Sequence, residues 1–430
     1  MLSVEEARAS VLDRIHRLEP EPVDVLDSLG CVLAQDVVSD IDVSPFDNSA
    51  MDGYAVRAAD TAGADADNPV VVRVIDHIAA GRVSNVCLEA GEAARIMTGA
   101  PVPAGADAIV MVEHTESLEN AGSTGGTVAI RRAAATGDHI RLAGEDVRVG
   151  ETVLHAGEVV NPASIGLMAA LGFASVDVYR RPRVAIVSTG DELVGITETP
   201  GPGQIRNSNS YSLAAQVLAA GGEPFTLGIA LDNEADTRAL LSRAPEFDIM
   251  VTTGGVSMGD FDVVKDVLEQ IGELDFWKVA MRPGAPQTFG TVGGTPFFGL
   301  PGNPTSTMVG FELFVRAAIR KMRGFTALDR PVVTAVLSQD VRKKADRRYF
   351  LRGILERVAD GGARSDDFVL GGAEGPTVGY TAKLSGRQSS AMLTAMHRAN
   401  CLISLPEGLS EVAAGTVVEC IRLDTEEGTP

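Results

Sequence analysis

Three polar, glycine-bearing segments each follow a short apolar run. They are Ser188-Thr189-Gly190-Asp191-Glu192, the stretch running from Thr252 through Gly254, Gly255 and Ser257 to Asp262, and Gly299-Leu300-Pro301-Gly302-Asn303-Pro304. Glycine lets a backbone turn tightly and approach a ligand with no Cβ in the way. A row of N–H groups ahead of a helix N-terminus suits a phosphate or another oxyanion. The middle segment holds Gly254, Gly255 and Gly259, where a plain strand-to-helix turn needs one glycine, and Ser257 adds a hydroxyl donor. No Gly-Lys-Ser/Thr follows, so it is not a Walker loop.

Asp191, Glu192, Asp232, Asp260 and Asp262 fall in or beside the same inferred edge. Carboxylates next to a phosphate repel it unless a divalent cation sits between them. Asp262 is the candidate metal ligand. Asp260 reads equally as a helix cap, and Asp262 as a first-turn carboxylate favoured by the helix dipole. Cations follow in Trp277-Lys278-Val279-Ala280-Met281-Arg282-Pro283-Gly284, where Lys278 and Arg282 have apolar neighbours and can turn toward an anion. Farther on, Arg342, Lys343, Lys344, Arg347, Arg348 and Arg352 make a basic cluster. Residues 342–344 read equally as a solvated strand edge guarded by charge. Arg352, within Tyr349-Phe350-Leu351-Arg352, fits that reading less well.

The elements that must position these groups are legible in the apolar pattern. Buried-type strands are expected at 184–187, 225–230, 248–251 and 296–300, with helices at 210–220, 234–244, 263–271 and 305–322 between and after them. Alternating buried strands and helices predict a parallel-type sheet covered on both faces. In such a sheet the carboxyl ends of the strands share one edge, and ligands bind there, so the three segments should converge. Before this region, Ser3 and Glu6 form a capping box for an opening amphipathic helix. Residues 47–138 alternate short apolar runs with turns and read as a β-rich domain. After Gly324 short strands and turns return.

Of the 430 residues 45% are hydrophobic and 22% charged, which predicts folded domains rather than a disordered chain. A formal net charge of -21 argues against general affinity for nucleic acid or anionic membrane. An anionic ligand must therefore be gathered by local cations and backbone N–H groups. Cys31, Cys87, Cys401 and Cys420 are far apart, with no Cys-x-x-Cys pair. Together with an acidic opening that lacks a signal-peptide pattern, they predict a cytoplasmic protein with reduced thiols. The most apolar stretch, 163–178, is broken by Gly and Ser and is short of a membrane span.

A further segment, Pro45-Phe46-Asp47-Asn48-Ser49-Ala50-Met51-Asp52-Gly53-Tyr54, follows neither helical nor strand period and reads as a loop built for specific hydrogen bonding. With residues 96–113, 143–146, 181–193, 252–262, 277–289 and 299–306, it resembles in order the molybdopterin molybdenumtransferase family, whose eukaryotic relatives include the C-terminal part of gephyrin. The resemblance covers nearly the whole chain. It implies an α/β plus β multidomain fold in four parts. An elongated, discontinuous N-terminal domain (1–46 and 140–178) accepts an inserted β-rich domain (47–139). A three-layer α/β domain (179–326) and a C-terminal β-barrel (327–430) follow. It also implies a homodimer whose site is shared between subunits, so that the 46–56 loop closes a site on the partner chain. The implied reaction loads molybdate onto adenylylated molybdopterin, cleaving the phosphoanhydride to give molybdenum cofactor and AMP, with magnesium or another divalent cation. The implied catalytic acids are Asp52, Asp146, Glu192, Asp232 and Asp262. The implied substrate contacts are Thr98, Thr189, Gly190, Gly254, Gly255, Ser257, Lys278, Arg282, Pro301, Asn303, Pro304, Arg352 and Ser389. One departure stands out: many bacterial members carry a second lysine where this chain has Ala285. A tungstate-handling relative and a non-catalytic scaffold of the same fold are the rival expectations.

Overall fold

A computed structural model of the chain describes residues 1–118, 124–255, 263–358, 363–364 and 377–424. The chain divides into two units, Met1–Glu21 with Tyr179–Pro430, and Pro22–Val178.

The larger unit is built on a six-stranded sheet. Its strand order is Glu223–Ala230, Arg183–Thr189, Ile249–Thr253, Thr295–Leu300, Pro286–Val292 and Gly272–Lys278. The first four strands run parallel, and Pro286–Val292 pairs antiparallel with both of its neighbours. Successive side chains of a strand face opposite ways. Val184 and Ile186 accordingly pack with Leu213 and Val217 of helix Asn209–Ala220 on one face, while Ala185 joins Val264, Val267 and Leu268 of helix Val263–Ile271 on the other. Burial on both faces is why the strand reads as a continuous apolar run.

Three features differ from the sequence reading. Two strands in antiparallel pairing, Pro286–Val292 and Gly272–Lys278, are added at the edge of the expected parallel strands; Gly293 and Gly294, whose φ values of 57° and 85° suit a tight hairpin, join Pro286–Val292 to Thr295–Leu300. Residues 1–21 belong with the α/β sheet rather than with the discontinuous N-terminal region. The reason is apolar: Ala7, Val11 and Ile15 of the opening segment share one core with Val184, Val279 and Phe289. The expected capping box is present on helix Val4–Arg14, with Ser3 Oγ accepting from Glu6 N at 3.1 Å and Glu6 Oε2 from Ser3 N at 2.8 Å. The long helix expected over 305–322 is interrupted by a π turn at Phe311–Val315.

Past this sheet, strands Val332–Leu337, Arg348–Arg357, Tyr380–Leu384, Cys401–Leu405 and Val417–Arg422 close into a five-stranded barrel through the pairing of Arg348–Arg357 with Cys401–Leu405. The two-residue strand Met281–Arg282 leaves the α/β sheet and pairs in parallel with the barrel strand, Arg282 opposite Tyr349.

In the other unit, a six-stranded sheet spans Gly53–Val56 to Thr127–Ile130, with apolar cores on each face. Around helix Pro162–Ala170, capped by Asn161, a separate core joins Leu33 and Val37 to Val147, Leu154 and Met168.

Candidate functional site

The three glycine-bearing turns follow three adjacent parallel strands and meet at their shared carboxyl edge. Gly254 N donates to Leu300 O at 3.1 Å, tying the second turn to the third. Gly254 has φ +92°, and a Cβ there would stand 2.6 Å from Thr189 O, so the first and second turns touch at a distance only glycine permits. Asn209 Nδ2 donates to Thr253 Oγ1 at 2.8 Å and to Gly302 O at 2.7 Å, a second tie between turns. Beneath it Ser188 Oγ, Asn207 and Ser210 form a buried hydrogen-bonded set.

These turns line a cleft of about 650 Å³ that brings together Thr189, Gly190, Glu192, Asp232, Gly254, Gly255, Asn303 and Pro304, with Arg206 and Asn209. Asp191 and Asp232 each accept the other's backbone N–H, which fixes Asp232. Glu192 folds over Gly190, where a Cβ would lie 2.3 Å from its Oε2. Thr189 Oγ1 and Asn209 Oδ1 are buried atoms without a hydrogen-bond partner. Buried polar atoms are almost always satisfied, so these two are groups that a ligand can complete.

A second cleft, of about 360 Å³, shares Gly255, Gly302 and Asn303 with the first and adds Arg282, Ala285, Pro301, Lys344 and Gln388. A third, of about 490 Å³, shares Arg282, Lys344 and Gln388 with the second and adds Lys343, Tyr349 and Arg352. The three hollows therefore form one succession, acidic at the Glu192 end and cationic at the Arg352 end.

Arg352 is 1% exposed and has no carboxylate partner among the described residues. Its Nη2 donates to Ser389 O at 3.2 Å, its Nη1 makes a long contact with Phe350 O at 3.5 Å, and its Nε has no partner. Burial pulls its pKa down to about 10, so it is still a cation at neutral pH. A buried cation is normally paired, and an unpaired one that lines a cleft is a receptor for an anion. Gln388 clamps its backbone, accepting from Arg352 N at 2.8 Å and donating to Arg352 O at 3.1 Å.

Not every expected residue is gathered here. Lys278 lies half-buried in the edge strand and lines none of the three clefts. Ser389 meets Arg352 through its carbonyl oxygen, not its hydroxyl. Ser257 and Asp262 lie outside the described residues, as does Asp260. Among the described residues no three or more His, Cys, Asp or Glu side chains group as a metal site.

Asp52, Thr98 and Asp146 belong to the other unit. There Asp52 Oδ1 accepts from Thr98 N and Thr98 Oγ1, both at 2.8 Å. Those bonds, the backbone one foremost, hold the Asp52 carboxyl below its ordinary 3.8. Asp146 lines a different hollow, of about 260 Å³, with Asn48, Arg141 and Glu145. Phe46, Met51, Met97 and Leu142 are exposed apolar side chains of this unit.

Asn209, Gln388 and Tyr349 were not singled out from sequence. Asn209 had a signal in the polar run Asn207-Ser208-Asn209-Ser210 at a strand-to-helix junction; Gln388 had none.

Comparison with known proteins covers almost all of the chain. Residues 2–172 match the MoeA N-terminal region (domain I and II), 185–321 the "Probable molybdopterin binding domain", and 334–423 the MoeA C-terminal region (domain IV). Molybdopterin molybdenumtransferase 2 of Mycobacterium tuberculosis is 43% identical over 426 residues, 97% of this chain and 99% of that protein. The molybdopterin molybdenumtransferase of Bacillus subtilis is 38% identical over 430 residues, 100% of this chain and 95% of that protein. The crystal structure of a molybdopterin biosynthesis MoeA protein from Pyrococcus horikosii superimposes with a TM-score of 0.79 at 31% identity, covering 99% of this chain and 100% of that one.

Proposed function

The chain belongs to the MoeA family of molybdopterin molybdenumtransferases, and from that premise we propose that it inserts molybdenum into molybdopterin, taking adenylylated molybdopterin and molybdate and releasing AMP. One observation carries the reading: a buried, unpaired Arg352 opens onto clefts that lead past Arg282 to the glycine-bearing turns. That arrangement offers an oxyanion site and a phosphate site in succession on one rim.

In this reading Arg352 and Arg282 hold molybdate by charge-assisted hydrogen bonds. The phosphates are received by the other N–H groups of the three turns, since Gly190 N and Gly254 N already donate to Ala230 O and Leu300 O. Pro301 and Pro304 stiffen the third turn, and Asn303 lies where the first two clefts join. Thr189 Oγ1 and Asn209 Oδ1 meet polar groups of the pterin nucleotide. The reaction joins molybdate to the two dithiolene sulfurs, one molybdate oxygen leaving as water with the two thiol protons, and water cleaves the phosphoanhydride to give AMP; the chain contributes by holding the two anions at reacting distance.

A divalent cation fits the donor set: Glu192 and Asp232 share the phosphate cleft, and magnesium is commonly held by one or two carboxylates plus substrate oxygens. Asp262 would be a further ligand. Once bound, the cation offsets phosphate charge and polarises the bond to be broken.

Asp52, Thr98 and Asp146 act from the second subunit of a homodimer; the exposed Phe46 and Met51 near Asp52 in sequence, and Met97 beside its partner Thr98, support a covered surface there. The setting is the cytoplasm, a reading supported by four free cysteines. Among the described residues no helix is long and apolar enough to cross a membrane.

The test is incubation of the purified protein with adenylylated molybdopterin, magnesium and either molybdate or tungstate, following AMP. Molybdate-dependent release is expected, and Asp262→Ala should abolish it. Release driven by tungstate alone would move the assignment to a tungsten enzyme. No release with either oxyanion would leave a scaffold of the same fold.

A further inference from the structure

The cationic end of the cleft is organised around one aromatic ring. Tyr349 stands opposite Arg282 in the short parallel pairing of Met281–Arg282 with Arg348–Arg357 and is 7% exposed. Arg282 Cζ lies 5.6 Å and Lys343 Nζ 4.8 Å from the centre of its ring. Both are within the distance at which the ring quadrupole attracts a cation. The phenol oxygen also accepts from Lys344 N at 3.3 Å, with Arg282 Nη1 at 3.5 Å.

The neighbouring charges sort into two kinds. Arg342 pairs with Glu411 and Arg347 with Asp346. Arg282 and Lys343 have no carboxylate within ion-pair distance among the described residues, and Lys344 feels Asp346 only at longer range; all three line the third cleft. Lys343 Nζ donates only to the carbonyls of Lys344 and Arg347, at 3.2 and 3.3 Å. Asp340, the acid of that cleft, has its Oδ1 taken by Ala414 N. Cations so gathered repel one another. A ring within reach of two of them offsets part of that repulsion, and a bound anion removes the rest.

We propose that Tyr349 is a positioning residue for oxyanion capture, its ring holding Arg282 and Lys343 at the cleft so that they receive a tetrahedral dianion together. The inference rests on the molybdate reading of this cleft. It assigns the work to the ring face rather than to the hydroxyl, because only the ring meets both side-chain cations at close range.

The experiment is equilibrium dialysis of molybdate on the full-length protein without pterin, over a range of salt, with melting temperature measured alongside. Tyr349→Leu should weaken molybdate binding by roughly tenfold, the sum of two partly exposed cation–ring contacts, and make it less sensitive to salt. Tyr349→Phe, which keeps the ring, should stay within about threefold of the parent. A purely structural role would lower the melting temperature and leave the salt dependence alone. Parent-like binding by the leucine variant, or equal loss in both variants, overturns the proposal. Should the leucine variant not fold, Lys343→Gln reads the same claim: binding several-fold weaker supports it, and unchanged binding overturns it. Molybdate binding by the parent without AMP release would sink the proposed reaction and leave the role of Tyr349 standing. No binding by the parent would sink both.

Discussion

Asp191 and Asp232 clasp one another across two turns: Asp232 N donates to Asp191 Oδ1 at 3.0 Å and Asp191 N to Asp232 Oδ2 at 3.4 Å. Each carboxylate thereby sets the other's backbone at the mouth of the first cleft. Asp191→Ala removes one half of the clasp, which costs about 1 kcal/mol for a single hydrogen bond at an exposed site. The fold should survive, while AMP release falls about tenfold as the Asp232 backbone loses its anchor, with only the Asp191 N–H left to hold its carboxylate. Parent-like turnover in that variant would show that Asp232 is held by something else.

Arg352 offers a contrast between stability and function. Replacing even a buried ion pair by apolar side chains of similar volume is often neutral or stabilising by about 1–4 kcal/mol, and Arg352 has no carboxylate to leave behind. Arg352→Met should therefore melt at or above the parent temperature and lose molybdate binding. The sign with pH is fixed by the lowered pKa of about 10. The unfolded arginine binds its proton more tightly, so the cost of burying the charge is fully present below about 10 and is relieved only in strong alkali. Denaturant unfolding at neutral pH is the check, and a variant less stable than the parent would mean that the guanidinium is anchored better than its hydrogen bonds imply.

Gly254 meets two constraints at once. Its φ of +92° is a left-handed region where a side chain costs about 1–2 kcal/mol, and a Cβ would press on Thr189 O, a backbone atom that no rotamer change can move away. Gly254→Ala should lower the melting temperature by several degrees and widen the join between the first two turns. Calorimetry measures the first effect and nucleotide affinity the second.

In the other unit the Asp52 carboxyl is held low by the Thr98 N–H and, to a lesser degree, the Thr98 hydroxyl. Thr98→Val removes the hydroxyl and keeps the N–H, so the Asp52 pKa should move part of the way up toward 3.8. A lowered carboxyl pKa contributes stability above the unfolded value and loses it as pH falls through the folded one. In the variant that contribution is smaller. Titration of Asp52 by carboxyl NMR decides the matter, and an unshifted curve would remove the hydroxyl from the account.

Much of the α/β region was legible because its strands are buried on both faces. Val184 to Val187 read as a buried strand, and the surplus glycines of the segments that follow such runs read as turns. Where burial is one-sided or partnering is distant, the pattern said less. The strand Gly272–Lys278 alternates polar and apolar residues only over Glu273–Phe276 and loses the pattern at Trp277, so Lys278 read as a cation able to turn toward an anion when it is a residue of the sheet edge. Helix Val4–Arg14 announced its start through Ser3 and Glu6, yet nothing local says which core Val11 and Ile15 join. Arg352 stood out as a charge in an apolar run. Its clamp, Gln388, sits 36 positions away on a segment with no pattern of its own. Side-chain partners brought together by barrel closure leave no trace in spacing.

The two-residue pairing of Met281–Arg282 with the barrel strand has a bearing on how this chain can vary. Neighbouring residues of a strand point to opposite sides, so slippage by a single position would exchange the guanidinium for the thioether of Met281. The barrel thus works as a gauge for one charge of the anion receptor. Insertions should be tolerated in its outlying turns and rejected in the short connection between Arg342 and Arg348, where they would reset the alignment.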